Sequence, residues 1–185
     1  MYVEIAYGRG ALQVELPNDA QVKIIEPPEV PGLPDEPAAL RDALRRPIES
    51  RPLREIVSPG QRLAVVFSDL TRPMPNDRVL PIVLDELESR SPAEIVLINA
   101  LGTHRPNTPE ELERMLGREI VAKYRIVQHD PWDEDNLVPL GISSFGHPLT
   151  VNRTYMEADV KILTGFIEPH FFAGFSGGPK AVLPG

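Results

Sequence analysis

The side chains best suited to chemistry in this sequence lie in short segments rich in glycine and proline. His104 lies in GTHRP (102–106), and His170 lies in GFIEPHFFAGFSGGPKAVLPG (165–185). Because the unperturbed pKa of imidazole is near neutrality, both histidines can accept or donate a proton at physiological pH. Lys180 follows the glycines of the second segment, where an amine can bind phosphate, pair with an acid or attack a carbonyl-type carbon. The sequence therefore points to proton transfer and leaves the role of the lysine open among these three.

A third polar segment, SDLTRPMP (68–75), carries Asp69 and Arg72 on a stretch that its prolines keep from becoming helical. The forked guanidinium suits a clamp for a ribose, phosphate or carboxylate. The alternative is a surface ion pair between Asp69 and Arg72, with Ser68 or Asn76 capping a helix. The segment alone leaves both interpretations open.

The glycines before Lys180 allow the backbone to approach a ligand closely, above all Gly177 and Gly178. The order Gly-Pro-Lys-Ala excludes a Walker phosphate loop, which needs Gly-Lys-Ser/Thr. The alternative is a glycine-rich hinge with a solvated lysine. His170 stands between Pro169 and two phenylalanines, which predicts apolar surroundings that exclude water.

The other two histidines carry weaker signals. His129, in VQHDP, is expected to help close the same pocket, and His147, in FGHP, is expected in a turn. No HExxH, GxSxG or GxGxxG pattern is present. A third hypothesis is a hydrolase in which His104 and His170 bind a metal directly. No carboxylate motif with the helical spacing of metal ligands supports it.

The elements that must position these residues alternate between strand and helix. Buried strands are predicted at 62–67, 94–100, 125–129 and 160–165, with helices at 37–46, 76–90 and 108–117. Such alternation predicts an open, mostly parallel α/β sheet with helices on both faces, similar to a Rossmann fold. Each chemical segment begins within two residues of a strand end. Because ligands bind beyond the carboxyl ends of parallel strands, we expect one shared crevice.

The helices at 76–90 and 108–117 carry local signals of their own. Pro81 is expected to bend the first or delay its start, whereas Thr108 should cap the second and Gly117 should stop it.

The N-terminal part of the chain has a different pattern. Its first 26 residues contain three alternating segments, YVEIA, ALQVEL and QVKII, which predict a small antiparallel meander. A proline-rich crossing at 27–37 follows. We therefore predict an N-terminal unit at 1–36 and an α/β cofactor-binding domain at 37–185, with a hairpin-like passage around SSFGHPLTVNR.

Composition limits the classes of partner. The 185 residues contain no cysteine, which excludes disulfides and thiolate chemistry, and the formal net charge of -8 argues against nucleic acid. No apolar run is long enough to span a membrane, and no secretory signal is visible. A cytoplasmic protein without a membrane partner is predicted.

The strings SDLTRPMP, LGTHRP, VQHD and GFIEPHFFAGFSGGPKAVLPG, in this order, resemble the nickel-pincer-nucleotide-dependent lactate racemase family. The resemblance covers residues 68–185. It implies a racemase or epimerase of 2-hydroxy acids, with cofactor-making enzymes as partners. The implied cofactor is the nickel complex of pyridinium-3,5-bisthiocarboxylic acid mononucleotide.

Carried over by position, the resemblance implies that His104 and His170 are the acid/base pair and that Lys180 holds the cofactor through a thioamide. The implied cofactor-binding residues are Asp69, Leu70, Thr71, Arg72, Gly177, Gly178 and Lys180. No residue here matches the family's nickel-binding histidine, which follows the lysine, so no metal ligand is assigned. Family members continue into a second domain, and the isolated chain is therefore expected to be inactive.

Chemistry favours such a cofactor. Inverting the α-carbon of a 2-hydroxy acid by proton abstraction would leave a carbanion beside a carboxylate, and general acid–base catalysis supplies only about 10²–10⁴-fold. Hydride transfer avoids the carbanion, while a histidine takes the hydroxyl proton. Two histidines, one for each enantiomer, fit this scheme. The competing hypothesis is a non-catalytic module that binds a nucleotide or an anion in the same crevice.

Overall fold

The computed structural model describes residues 1–26 and 28–184. The chain divides into two compact units, Met1–Pro34 and Asp35–Gly185. Pro27, the first residue of the predicted proline-rich crossing, lies outside the described residues, as does Gly185 at the end of the lysine segment.

The first unit contains one antiparallel hairpin, made of β1 (Tyr2–Tyr7) and β2 (Gly10–Glu15). Gly8 turns the chain with a φ of 60°, a conformation that favours glycine. The predicted third strand, QVKII (21–25), is wrong: these residues are described and form no strand. Their alternating pattern suits a strand, but a strand also needs a neighbour with which to exchange backbone hydrogen bonds.

The second unit alternates helices with strands, as the sequence predicts. Its helices are α1 (Glu36–Arg45), α2 (Leu53–Ile56), α3 (Asn76–Glu88), α4 (Pro109–Leu116), α5 (Arg118–Lys123) and α6 (Arg153–Glu157). Its strands are β3 (Arg62–Ser68), β4 (Glu94–Ala100), β5 (Arg125–Gln128), β6 (Leu137–Ile142), β7 (Pro148–Asn152), β8 (Val160–Leu163), β9 (Pro169–His170) and β10 (Gly174–Phe175). Short 3₁₀ helices occupy Glu134–Asn136 and Gly178–Ala181.

Four of these strands form a parallel sheet in the order β5-β4-β3-β8. The sheet is buried on both faces, because β3 and β4 are almost continuously apolar. The remaining strands pair in two antiparallel hairpins, β6–β7 and β9–β10. The predicted open parallel α/β sheet with helices on its faces is confirmed.

The two faces of the sheet are covered unequally. On one face, Leu63, Val65 and Phe67 pack in a large core with side chains of α1 to α5. On the other, Val66 and Ile98 belong to a smaller cluster, with Tyr155 of α6 among the side chains packed on it. We call this second side the thinly covered face.

Two helices show how local sequence sets the boundaries. In α4, the Thr108 side chain accepts from the Glu111 N–H and the Glu111 carboxylate accepts from the Thr108 N–H, which confirms the predicted capping box. Gly117 ends α4 with a φ of 86°, also as predicted. Helix α3 begins five residues before Pro81, so this proline does not delay the start. Among the described residues, no helix has the length and apolar character needed to cross a bilayer.

Candidate active site

A cavity of about 280 Å³ lies at the carboxyl end of the parallel sheet. Its walls come from three places: the segment after β3, the segment after β4, and the C-terminal segment after β8. The polar side chains that line it are Ser68, Asp69, Arg72, Thr103, His104, His170, Ser176 and Lys180. The three chemical segments of the sequence therefore share one crevice.

Asp69 is the buried centre of this polar group, with only 3% of its surface exposed. One carboxylate oxygen accepts from the Thr71 hydroxyl at 2.8 Å, and the other lies 2.9 Å from Nδ1 of His104. Because an ionised carboxylate only accepts hydrogen bonds, the His104 proton is on Nδ1. Nε2 of His104 is then left with a free lone pair and can act as a base.

Arg72 does not form the ion pair with Asp69 that one interpretation of the sequence suggests. Its guanidinium lies 3.7 Å from the carboxylate of Glu168, and it is largely buried at the cavity. Asp69 is instead engaged by Thr71 and His104, so it is the histidine, not the arginine, that is paired with the buried acid.

The loop that carries His104 is fixed by a network of buried amides. Gln128 of β5 accepts from the Asn107 N–H at 2.6 Å and donates to the Asn107 carbonyl at 2.9 Å. Asn99 of β4, fully buried, donates to the Asn107 side chain at 2.8 Å. Arg105 adds a bidentate contact to Glu111 of α4. Two strands and a helix therefore determine where the His104 imidazole stands.

His170 has a different environment. It ends β9, and its Nδ1 accepts from the backbone N–H groups of Phe172 and Ala173 at 3.2 and 3.3 Å. The neutral imidazole therefore carries its proton on Nε2. The predicted exclusion of water by apolar neighbours is wrong, because Phe171 and Phe172 are 100% and 93% exposed. Phe172 lines the cavity and meets the His170 ring edge-on, with ring centroids 6.1 Å apart, but it stays open to solvent.

Lys180 lies on the 3₁₀ helix Gly178–Ala181 and lines the cavity. Burial lowers the pKa of its amine, the Arg72 charge lowers it further, and Asp69 opposes the change. A larger share of Lys180 is therefore the neutral, nucleophilic amine than for an ordinary lysine.

The glycines that precede Lys180 are required by close packing and by conformation. Gly177 has a φ of 73°, and a Cβ on Gly165 would lie 2.8 Å from the Gly177 Cα. The Ser176 hydroxyl fixes the same turn by donating to the Phe166 carbonyl at 2.7 Å and accepting from the Glu168 N–H at 3.2 Å. The backbone before Lys180 is thus held against the end of β8.

Not every residue that the sequence singled out lines this cavity. Thr71 acts through Asp69, whereas Leu70 lines a neighbouring pocket and Gly178 another. The expectation that His129 closes the same pocket is wrong: His129 lines a separate cavity on the thinly covered face. The reason is that two strands, β4 and β3, separate β5 from β8, and the chain after β5 continues toward β6. His147 lies in the β6–β7 turn, as predicted.

The sequence reasoning missed Glu168, Ser176 and the amide network around Asn107. Glu168 stands two residues before His170 in IEPH, and a carboxylate so near a candidate histidine was the available signal. Asn99 and Gln128 were hidden inside predicted strands, where a polar residue among apolar ones is the clue to a buried network.

Metal ligands are a separate question. Across residues 1–26 and 28–184, no group of three or more His, Cys, Asp or Glu side chains is placed to hold a metal ion. The direct metal-binding hydrolase has no support from this geometry.

An open parallel sheet with two histidines, an arginine and a lysine at one carboxyl-end cavity defines an α/β ligand-binding domain equipped for proton transfer. Residues 7–185 match the family described as Lactate racemase N-terminal domain, and the chain belongs to that family.

Individual relatives agree. The chain is 34% identical over 186 residues to the lactate racemase of Thermoanaerobacterium thermosaccharolyticum, covering 99% of this chain and 44% of that protein. It is 42% identical over 151 residues to the lactate racemase of Lactiplantibacillus plantarum, covering 81% of this chain and 36% of that protein. The chain thus spans less than half the length of the curated relatives it matches.

Solved structures show the same fold. The T. thermosaccharolyticum lactate racemase apoprotein matches 100% of this chain and 43% of its own, with a TM-score of 0.83 and 34% identity. A crystal structure of a Thermotoga maritima protein matches 85% of this chain and 40% of its own, with a TM-score of 0.67 and 26% identity.

Proposed function

We propose that the chain is the N-terminal, cofactor-binding part of a racemase or epimerase of 2-hydroxy acids, of which lactate is the nearest candidate. Membership of the lactate racemase N-terminal family supports the reaction class. The single observation that carries the proposal is the cavity shared by His104, His170 and Lys180. The curated relatives are more than twice as long as this chain, so the substrate and the activity are proposed for the whole protein.

In this proposal His104 is the base that Asp69 orients. Asp69 accepts from Nδ1–H, so Nε2 can take the substrate's hydroxyl proton. The positive charge that then forms on the imidazole lies 2.9 Å from the Asp69 carboxylate, which stabilises it. Proton transfer to a positioned histidine is worth about 10²–10⁴-fold in rate.

His170 is the second acid/base group in the proposal, but it is not equivalent to His104. Its Nδ1 accepts two backbone hydrogen bonds, from Phe172 and Ala173, and its proton lies on Nε2. To accept a proton at Nε2, the imidazole must first turn or the 171–173 segment must open. We therefore infer that the two enantiomers meet unequal barriers to proton transfer.

The residues present fit the organic part of the nickel-pincer nucleotide. Lys180 would hold it covalently through its amine. The Arg72 guanidinium, a cation that lines the same cavity, would bind its phosphate or the substrate carboxylate. Asp69, Leu70, Thr71, Gly177 and Gly178 complete the proposed binding set. When bound, the cofactor would supply a reversible acceptor for the α-hydrogen as hydride. Within the described part of the chain, no group of three or more His, Cys, Asp or Glu side chains is arranged to bind the nickel ion.

The test is the mass of the protein expressed from the complete gene together with the cofactor-making enzymes. We expect a covalent adduct that is lost in Lys180→Ala and kept in the matched control Lys123→Ala, since Lys123 lines a different cavity with Glu88. An adduct that persists in Lys180→Ala would overturn the attachment.

An activity assay on the same protein distinguishes the racemase hypothesis from the hypothesis of a non-catalytic binding module. Conversion of either lactate enantiomer to the mixture supports the racemase, whereas a bound nucleotide with no conversion supports the module. We also propose a cytoplasmic location, which fractionation of the producing cells would check.

A further inference from the structure

A second cavity, of about 260 Å³, lies against the thinly covered face of the sheet. Val66, Ile98 and Ala100 form its floor, and Tyr155 of α6 forms one wall. The chain after Lys180 forms another wall. His129, Val151 and Asn152 also line it, as do Ala181 and Pro184.

This cavity differs from the first in charge. The first contains Asp69, Arg72 and Lys180, whereas no aspartate, glutamate, lysine or arginine of the described chain lines the second. An ion that entered it would lose hydration without gaining a partner of opposite charge, which is costly in apolar surroundings. The cavity therefore favours an uncharged occupant.

A hydrogen-bonded pair of side chains, Asn152 and His129, lies at the edge of this cavity. Asn152, 9% exposed, accepts from the Tyr155 N–H at 3.2 Å through Oδ1. This orients its NH₂ group to donate to Nδ1 of His129 at 3.3 Å. Since Nδ1 accepts, the neutral His129 carries its proton on Nε2.

His129 is thereby set up as a donor. Burial lowers its pKa, and Asp130 opposes the change only in part, so the neutral form is favoured. Within residues 1–26 and 28–184, its Nε2–H has no hydrogen-bond partner. A half-buried donor at the edge of an apolar cavity is the arrangement that orients a small ligand with one acceptor.

We infer that this second cavity is a binding site for a small uncharged molecule with an apolar ring or chain and one carbonyl-type acceptor, held by the His129 Nε2–H. The inference does not depend on the proposed racemase function. The two cavities share Ala100, Ala181 and Pro184, so an occupant would also contact the turn that carries Lys180.

The experiment uses three probes of similar size: acetophenone, with a ring and a carbonyl; ethylbenzene, without the acceptor; and benzoate, with a charge. The protein is the product of the complete gene, so that anything that follows residue 185 is present. Methyl NMR signals of Val66, Ile98 and Val151 report the site, and those of Leu101 report the first cavity.

We expect acetophenone to shift the signals of the second cavity and to bind about three- to tenfold more tightly than ethylbenzene, as one net hydrogen bond predicts. Benzoate should bind more weakly than both. His129→Ala should reduce acetophenone binding to the ethylbenzene level, His129→Gln should restore part of it through its amide N–H, and the exposed His147→Ala should change nothing.

Three results would overturn the inference. One is the absence of shifts at Val66 and Ile98 with acetophenone at about 1 mM, a concentration suited to weak fragments. Another is benzoate binding as tightly as acetophenone. The last is a folded His129→Ala protein with unchanged acetophenone affinity.

Discussion

The two ends of the parallel sheet carry similar charged side chains in opposite arrangements. At the amino end, Glu94 pairs with Arg125 at 2.9 Å and with Arg62 at 3.5 Å, and Glu88 pairs with Lys123. Each of these charged side chains is therefore paired with a side chain of opposite charge. At the carboxyl end, Lys180 and Arg72 line a cavity instead. Among the described residues, the acid that pairs with Arg72 is the more distant Glu168, at 3.7 Å.

Two lysines show what this difference does. The Glu88 hydrogen bond raises the pKa of Lys123, whereas burial lowers the pKa of Lys180. The first lysine is held as a cation in a structural network, and the second is moved toward the neutral amine. Because Lys180 and Arg72 are incompletely paired at the carboxyl end, they remain available to a ligand, as groups in functional sites must be.

The largest expected effect is loss of activity on removing a carboxyl-end histidine. In the complete protein, we expect His104→Ala and His170→Ala each to lower racemisation by about 10²–10⁴-fold, since each removes one proton-transfer group. Chiral chromatography of lactate started from each pure enantiomer measures the rates. His147→Ala, in the β6–β7 turn, should retain full activity.

The direction of the effect sharpens this first prediction. Of the two histidines, His104 is the one that presents a basic Nε2. We therefore expect one variant to slow racemisation more from one lactate enantiomer, and the other variant to slow it more from the opposite enantiomer. Two variants that both keep normal turnover would remove the histidine pair from the mechanism.

A smaller loss is expected when the acid behind His104 is neutralised. Asp69→Asn replaces an acceptor with an amide that can donate to Nδ1, so the histidine would hold its proton on the wrong nitrogen. We expect a fall in kcat of about 10²-fold, the scale of a misplaced catalytic group, with KM changed less. ¹⁵N NMR of the imidazole should show the proton moved to Nε2.

The amino end supplies the control for this variant. Asp159 accepts from the Arg62 N–H at 2.7 Å at the start of β3, so Asp159→Asn should affect stability and leave the His104 tautomer unchanged. An Asp69→Asn protein with normal kcat, or with the proton still on Nδ1, would contradict the orienting role.

The sequence could predict the sheet and the convergence of the three segments, because both follow from local patterns. Continuous apolar runs indicated β3 and β4, and Thr108 and Gly117 marked the ends of α4. Ligand segments that follow parallel strands must meet at one edge, and this holds for His104 and Lys180.

The missed features depend on contacts between residues far apart in the chain. The pair formed by Asp69 and His104 joins residues 35 apart, and the Gln128 clamp on Asn107 joins residues 21 apart. No periodicity records which distant partner a carboxylate will choose. The Asp69–Arg72 pair was the nearer option in sequence, and the fold excluded it by turning Arg72 toward Glu168.

The smallest effect is expected from the ion pairs at the amino end. The Arg125 hydrogen bond, followed by the charges of Arg125 and Arg62, lowers the pKa of Glu94 below 4.5. The unfolded chain therefore binds this proton more tightly than the folded one, so the pair stabilises the fold above about pH 4.5 and the contribution is lost as pH falls through the folded pKa. Because Glu94 is partly exposed, Glu94→Gln should lower the free energy of unfolding at pH 7 by less than about 1 kcal/mol. Urea denaturation at neutral and acidic pH measures this difference in unfolding free energy, which should shrink on acidification. The exposed Glu4→Gln variant is the control. A loss of stability that grows at low pH would show that the amino-end charges do not act as a paired network.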